Sequence, residues 1–301
     1  AEGTGGLTIG DVSRDGKVLI TQEKSRQSLL GKGPSATEEI DLSWLDWSLP
    51  AGISQDGTRF LFDESGEGGG PGYSVYVRKT DGSPPVRLGS GSAQHISADG
   101  KNVVAIVDAS TRPRLVIYPT GAGEPRFLDT GNVAVLVALW HPDGQRLILA
   151  GNEPGRGVRL FILPVEGGKP RPFTPEGYRM GAGISRDGNF ALTAGPDRRR
   201  YLYPIAGGEP TPAVGLEQDE MVAGWTTDSD SVYVRRRNEL PSKVFRLNLR
   251  TGARERWGTL MPADSAGVTG IGGTNITPDG KAYVYSFLRS LADLYLVEGL
   301  K

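Results

Sequence analysis

The stretch NITPDGKAY at residues 275–283 is nearly repeated at the other end of the chain, where residues 11–19 read DVSRDGKVL. Further copies of the same phrase lie between them. The aspartates of all the copies are Asp15, Asp56, Asp99, Asp143, Asp187, Asp228 and Asp279, spaced 41 to 51 residues apart. A repeat with this period indicates stacked or circular structural units.

Each phrase has the composition of a tight β-turn. Ser, Thr or His comes first, Pro142 or Pro278 fills the second place in two copies, and glycine follows the aspartate in all copies except at Ser229. Proline presets the first turn torsion, the hydroxyl bonds back to turn amides, and glycine accepts a left-handed conformation. Each phrase therefore predicts a hairpin with a structural aspartate, and Ser229 is predicted to be left-handed.

Short strand-forming runs flank the phrases. VVAIV (103–107) and LILA (147–150) follow two of them, and second runs such as RLVIYP and VRLFILP come after a further connection. Four short strands per repeat, joined by glycine-containing turns, indicate an antiparallel meander. We therefore predict an all-β fold over residues 1–301, a single domain forming a seven-bladed β-propeller of four-stranded antiparallel meanders. The last blade is predicted to be incomplete, three-stranded or briefly completed by residues 2–5.

The repeated unit is apolar–Ser/Thr–Pro/x–Asp–Gly–Lys, an apolar strand and an xLYxx strand, and it resembles the TolB-like (PD40 or WD40-like) propeller repeat. The resemblance covers all seven units. It implies a sensor or scaffold propeller that binds a protein or peptide, as part of a larger bacterial signalling or envelope protein. DLYLVEGLK at 293–301 is similar to the end of propeller regions attached to bacterial Ser/Thr kinases, which implies an attached upstream domain.

The resemblance leaves alternatives open. One is an accessory propeller that gates or positions substrate for a prolyl-oligopeptidase-like hydrolase domain outside this chain. The implied location is the bacterial periplasm or the extracytoplasmic side of the membrane, with the cytoplasm as the alternative.

Motifs of common enzymes are absent from the sequence. There is no Gly-x-Ser-x-Gly elbow and no His-Arg-Asp or Asp-Phe-Gly of a kinase. Cysteine is absent, and the two histidines, His95 and His141, fall in different repeats. We therefore expect no enzymatic activity, no metal and no cofactor.

The net charge of −1 gives no general attraction to nucleic acid. The longest apolar run, VAVLVALW at 133–140, is too short to span a bilayer. We therefore expect neither a nucleic-acid partner nor membrane insertion by this chain.

Binding is expected on one face of the propeller. If the strands of a blade are lettered A to D outward from the axis, the A–B and C–D turns share one face, and the longer, varied B–C connections lie on the other. Variable loops on a rigid scaffold usually carry binding. The candidates in or beside the B–C connections are a basic sector and an acidic sector, namely Arg112, Arg114, Arg156, Arg199, Arg236 and Arg289, with Asp63 and Glu64. Ordinary solvated loops with local ion pairs are the alternative interpretation.

The aromatic and imidazole side chains of the inner strands have mainly structural explanations. Trp140 and Trp225 hold the apolar position before a turn and are predicted to be core residues. His141 occupies the first turn position, which favours a capping role. His95 lies in a predicted innermost strand and is the candidate for a residue facing the channel.

Overall fold

The computed structural model describes residues 6–65, 72–107 and 113–298. Within these residues the secondary structure is 25 β-strands with no helix. Five consecutive segments each form a four-stranded antiparallel meander, in which the first strand lies nearest the axis and the later strands follow outward.

The strands of these five blades follow the chain order. Blade I contains β4 (Trp47–Ile53), β5 (Arg59–Ser65), β6 (Ser74–Lys79) and β7 (Val86–Ser90). Blade II contains β8 (Ser92–Ile96), β9 (Asn102–Val107), β10 (Arg114–Pro119) and β11 (Arg126–Leu128). Blade III contains β12 (Ala134–Trp140), β13 (Arg146–Asn152), β14 (Arg159–Pro164) and β15 (Arg171–Pro172). Blade IV contains β16 (Arg179–Ile184), β17 (Phe190–Ala194), β18 (Arg200–Pro204) and β19 (Thr211–Pro212). Blade V contains β20 (Glu220–Trp225), β21 (Ser231–Arg236), β22 (Ser242–Asn248) and β23 (Arg254–Leu260).

Blade VI is assembled from both ends of the described chain. Its inner strands are β24 (Val268–Ile276) and the first half of β25 (Tyr283–Val297). The long strand β2 (Val18–Lys32) pairs antiparallel with β25 along its whole length, from Val18 opposite Val297 to Lys32 opposite Tyr283. The short β3 (Ile40–Asp41) adds the outer strand by pairing with β2. The N-terminal region therefore closes the ring.

The predicted fold class, an all-β propeller of four-stranded antiparallel meanders, is confirmed. The ring itself has six blades rather than seven, because the six inner strands β4, β8, β12, β16, β20 and β24 contact one another in a closed cycle. The first turn phrase, at Asp15, joins β1 (Leu7–Val12) to β2 in a hairpin that extends blade VI. The phrase therefore predicts a hairpin correctly, but this hairpin does not form a blade of its own.

The closure of the last blade also differs from the expectation. Residues 25–41 complete it through β2 and β3. The predicted contribution of residues 2–5 lies outside the described residues.

The turn phrases form the predicted hydrogen-bonded turns. In blade I the hydroxyl of Ser54 donates to Asp56 at 2.6 Å, and Gly57 has φ +68°. In blade V the hydroxyl of Thr226 donates to Asp228 at 2.6 Å, and Ser229 has φ 61°. The predicted left-handed conformation of Ser229 is therefore confirmed.

The hydrophobic core lies between neighbouring blades. One cluster joins blades II and III through Leu115, Trp140 and Phe161, and another joins blades VI and I through Leu29 and Phe60. Trp140 and Trp225 are buried, as predicted. Apolar contact between sheets is the main favourable term that holds such a ring together.

Candidate functional site

A central channel runs between the inner strands and contains a cavity of about 280 Å³. All six inner strands contribute to its wall, which is mostly apolar and includes Leu139, Trp140, Trp225 and Ile276. Its polar groups include Gln94, His95, Arg186 and Asn275, which come from different blades. The channel can therefore accept a small or narrow group with few polar contacts.

His95 lines this cavity and also contacts the next blade. Its Nδ1 accepts a hydrogen bond from the backbone N–H of Trp140 at 3.2 Å, so the ring proton resides on Nε2. Burial lowers the pKa of His95 to about 4, and the imidazole is neutral at pH 7. Nε2 has no hydrogen-bond partner among the described residues and is left as a donor towards the channel.

On the face with the A–B turns, polar side chains form hydrogen bonds within the turns or with a neighbouring turn. Asp56 accepts hydrogen bonds from the Ser54 hydroxyl and from the backbone N–H of Thr58, and the pKa of Asp56 is lowered although partial burial acts against that shift. His141 is buried, and its Nε2 lies 2.9 Å from the carbonyl oxygen of Gly188 in the neighbouring turn. Within its own turn, His141 Nδ1 accepts a hydrogen bond from the backbone N–H of Asp143 at 3.3 Å, which agrees with the predicted capping role.

The predicted acidic sector is not on the surface. Asp63 is buried and accepts a hydrogen bond from the backbone N–H of Ala93 in blade II, at 2.6 Å. Glu64 is also buried and accepts from the backbone N–H of Trp47 and the hydroxyl of Ser48, at 2.9 and 2.5 Å. The two side chains point to opposite faces of β5 and both are buried, so they connect neighbouring strands and blades instead of facing a partner.

Three of the predicted arginines have partners within the protein. The Arg114 guanidinium lies 3.9 Å from the centroid of the Phe127 ring. Arg156 forms an ion pair with Glu176 at 3.5 Å, and Arg289 forms one with Asp264 at 2.8 Å. These contacts fit the alternative reading of ordinary solvated loops with local ion pairs.

The other predicted arginines are more open. The Arg199 side chain is 80% exposed, with Nε 3.8 Å from Asp197. Arg236 is exposed at the end of β21. Its neighbour Arg235 is buried instead, donates to the Thr274 hydroxyl at 3.0 Å, and is not part of the surface. Arg112 lies outside the described residues.

A groove on the B–C face brings together arginines that were not among the predicted candidates. Arg179, Arg198 and Arg200 line an open groove of about 750 Å³ over blade IV, and no carboxylate lies among its lining residues. Arg198 and Arg200 belong to a run of three arginines that the sequence shows plainly. Arg179 gives no comparable signal, because it begins an inner strand 19 residues before Arg198 and only the fold places the two together.

The B–C face also carries an exposed apolar ribbon. It consists of β1, residues 18–24 of β2 and residues 292–297 of β25, paired in that order. Leu7, Ile9, Leu294 and Leu296 are all at least 60% exposed on it. Because β25 continues beyond the last residue paired with β24, the ribbon projects on the side of the B–C connections.

The described residues offer neither a cluster of metal ligands nor a membrane-spanning helix. Across residues 6–65, 72–107 and 113–298, no three His, Cys, Asp or Glu side chains are grouped closely enough to hold a metal ion. The same part of the chain contains no helix long and apolar enough to cross a lipid bilayer.

Comparison with solved structures places this ring among known propellers. A protein described as a TolB from Agrobacterium tumefaciens superposes with a TM-score of 0.61 at 16% identity, over 89% of this chain and 99% of that one. TolB from Acinetobacter baumannii gives a TM-score of 0.57 at 12% identity, over 89% of this chain and 66% of that one. No protein-family model matches the chain, and no curated protein matches it by sequence.

An enzyme has the same fold. Oligogalacturonate lyase from Vibrio parahaemolyticus superposes with a TM-score of 0.52 at 12% identity, over 92% of this chain and 76% of that one. The prediction that the chain is not an enzyme, which rests on the missing motifs, is therefore wrong, because an enzyme with the same propeller fold exists. Fold alone does not decide a function.

The solved neighbours and the repeated turn phrase agree on the architecture. The TolB structures match nearly nine tenths of the chain, and the turn phrases occupy the A–B hairpins of five consecutive blades and of blade VI. In its fold, the chain is a TolB-like β-propeller.

Proposed function

We propose that this chain is a protein- or peptide-binding propeller, and that its binding surface is the B–C face. The observation that carries the proposal is the groove lined by Arg179, Arg198 and Arg200, since charged groups without internal partners are available to a ligand. The exposed apolar ribbon lies on the same face and adds the second ingredient of a protein interface.

The two faces of the ring differ in the groups they leave free. The turn aspartates of the A–B face are engaged within their own turns, as in Ser185 to Asp187 and Thr277 to Asp279. The B–C face presents Arg199 and Arg236 without short ion pairs. Arg199 and Arg236 are therefore available to a partner on the B–C face.

The wider role we propose is that of a sensor or scaffold module in a bacterial envelope or signalling system. The resemblance of the turn phrases to the TolB repeat supports it, together with the structural likeness to two TolB proteins. The proposed location is the extracytoplasmic side of the membrane.

Selection from a phage-displayed random peptide library tests the binding face. Peptides enriched on the wild-type chain should bind Arg199→Glu/Arg236→Glu at least tenfold more weakly. The matched control is Lys101→Glu/Lys281→Glu, which changes the charge equally at two exposed residues of the A–B turns. Unchanged binding to the first variant, with loss in the control, would place the binding surface on the opposite face.

Both double variants should melt close to the wild type, because these side chains are exposed or only partly buried. If the wild-type chain enriches no peptide more strongly than an unrelated propeller protein does, the result would contradict the proposed function itself.

A further inference from the structure

We propose that the groove over blade IV binds a carboxylate-rich peptide segment. This inference rests on the proposed function and specifies the chemistry of the partner. The groove is lined by Arg179, Arg198 and Arg200, together with glycines and Gln218.

The charge of the groove is not neutralised from within. None of the three guanidinium groups forms an ion pair with a carboxylate among the described residues. Two arginines of the neighbouring blade V are paired instead. Arg246 forms an ion pair with Asp228 at 2.6 Å, and Arg250 forms one with Asp230 at 2.5 Å. Concentrated, unpaired positive charge attracts an anionic partner and orients it.

Arg200 connects the groove to a second cavity. It lines both the main groove and an adjoining cavity of about 140 Å³ between blades IV and V, which also contains Arg237. The Nε atom of Arg200 is buried and has no hydrogen-bond partner within the described structure. The guanidinium group of Arg200 is thus not fully satisfied within the protein, and the side chain lines both cavities, where a ligand carboxylate is its natural partner.

The acid that lines the smaller cavity already has partners within the protein. Glu220 lines the smaller cavity, but its carboxylate accepts two hydrogen bonds from Arg254, at 2.5 and 2.8 Å. The backbone N–H of Glu217 donates to it as well, at 3.0 Å. Glu220 is therefore not a partner for Arg200, and the positive charge of the groove stays available.

The dimensions and walls of the groove fit a segment of chain better than a single small anion. Its arginines come from an inner strand, a B–C turn and the start of β18, and the charge continues into the second cavity. Several carboxylates along one extended peptide match this distribution.

The test uses fluorescently labelled hexaglutamate, with hexaglutamine as the neutral reference, in anisotropy titrations at low ionic strength. Wild-type protein should bind hexaglutamate at least tenfold more tightly than hexaglutamine, and the affinity should fall as salt rises. Arg179→Gln/Arg198→Gln should weaken hexaglutamate binding at least tenfold. The control, Arg14→Gln/Arg186→Gln, removes the same charge outside the groove and should stay within twofold of the wild type.

Two results would overturn the proposal. One is equal weakening by the groove variant and the control, which would reflect net charge alone. The other is complete displacement of the peptide by inorganic phosphate at a concentration similar to that of the peptide, which would indicate a site for a small anion.

This inference can fail separately from the proposed function. The affinity for hexaglutamate could be unchanged in the groove variant while binding of the displayed peptides still depends on Arg199 and Arg236. In that case the B–C face remains the binding surface. The groove would then not be the part of that face that recognises acidic segments.

Discussion

The hydroxyl oxygen of Ser229 accepts a hydrogen bond from the backbone N–H of Asp187, with 3.0 Å between the two atoms. This bond links the A–B turn of blade V to that of blade IV. Ser229 also has φ 61°, a conformation that glycine adopts in the other turn phrases and that costs a residue with a Cβ about 1 kcal/mol. One side chain therefore both strains its turn and joins two blades.

Two substitutions at Ser229 separate these effects. Ser229→Ala keeps the strained torsion and loses the bond to Asp187, so it should lower the free energy of unfolding by about 1 kcal/mol. Ser229→Gly also loses the bond but relieves the torsion, and should be more stable than Ser229→Ala by about 1 kcal/mol. Urea unfolding of the three proteins measures both differences. An alanine variant as stable as the glycine variant would contradict the strain.

Equivalent glycines in two other turns should respond differently to alanine. Gly144 has φ +69°, and a Cβ added there meets no atom within 4 Å, so Gly144→Ala should cost only the torsional strain, about 1 kcal/mol. Gly188 has φ +75°, and its added Cβ would lie 2.5 Å from the imidazole of His141. Gly188→Ala should therefore cost about 1 to 3 kcal/mol more in urea unfolding. Equal losses would mean that His141 moves aside freely.

These turns show what the sequence predicts well. Each phrase is local, so its Ser or Thr, its aspartate and its glycine specify a hairpin without knowledge of the rest of the chain. The strands on either side follow from β-rich runs of residues. The all-β propeller, the left-handed Ser229 and the buried Trp140 and Trp225 were all predicted in this way.

The blade count and the binding candidates depend on contacts distant in sequence. The pairing of Leu29 with Ser286 joins segments more than 250 residues apart. The residues near the first turn phrase give no local indication that β2 closes blade VI. Asp63 and Glu64 look like loop acids by composition, but both lie in β5 and accept backbone hydrogen bonds from other strands. Arg179 becomes a neighbour of Arg198 only through the fold.

Stability should depend on the titration of Asp63. Burial raises the pKa of Asp63 to about 7, from 3.8, although Ala93 and Ser92 donate hydrogen bonds to its carboxyl group. Between pH 4 and 7 the unfolded chain has lost this proton while the folded protein retains it, so stability should fall as pH rises and level off above 7. The contribution is up to about 4 kcal/mol, since one pKa unit corresponds to about 1.4 kcal/mol.

Asp63→Asn provides the comparison, because the amide can accept from the Ala93 N–H and donate to the Ser92 hydroxyl without titrating. Urea unfolding at several pH values should show the variant gaining on the wild type as pH rises from 4 to 7. A constant difference between the two proteins across that range would show that Asp63 ionises at its ordinary pKa.

Ring closure gives the last prediction, because the pairing of β2 with β25 has a buried half and an exposed half. Leu29 is fully buried with Leu42, Phe60 and Val284, where blade VI meets blade I. Leu294 lies on the projecting ribbon and is 66% exposed. Leu29→Ala should lower the free energy of unfolding by about 2 to 5 kcal/mol, through lost apolar contact and the cavity left behind. Leu294→Ala removes the same atoms and should change it by about 0.5 kcal/mol or less.

Both variants are compared with the wild type by urea unfolding, and limited proteolysis reports where the ring opens. Loss of the β2 pairing exposes the backbone edge of β25, so Leu29→Ala should be cleaved first within β2 or β25, at a protease concentration that leaves Leu294→Ala intact. Cleavage that begins instead in blade III or IV would mean that the ring opens elsewhere and that β2 does not act as its closing strand. Equal destabilisation by the two variants would show that the ribbon packs against another surface in solution, and its exposed leucines would then belong to an interface.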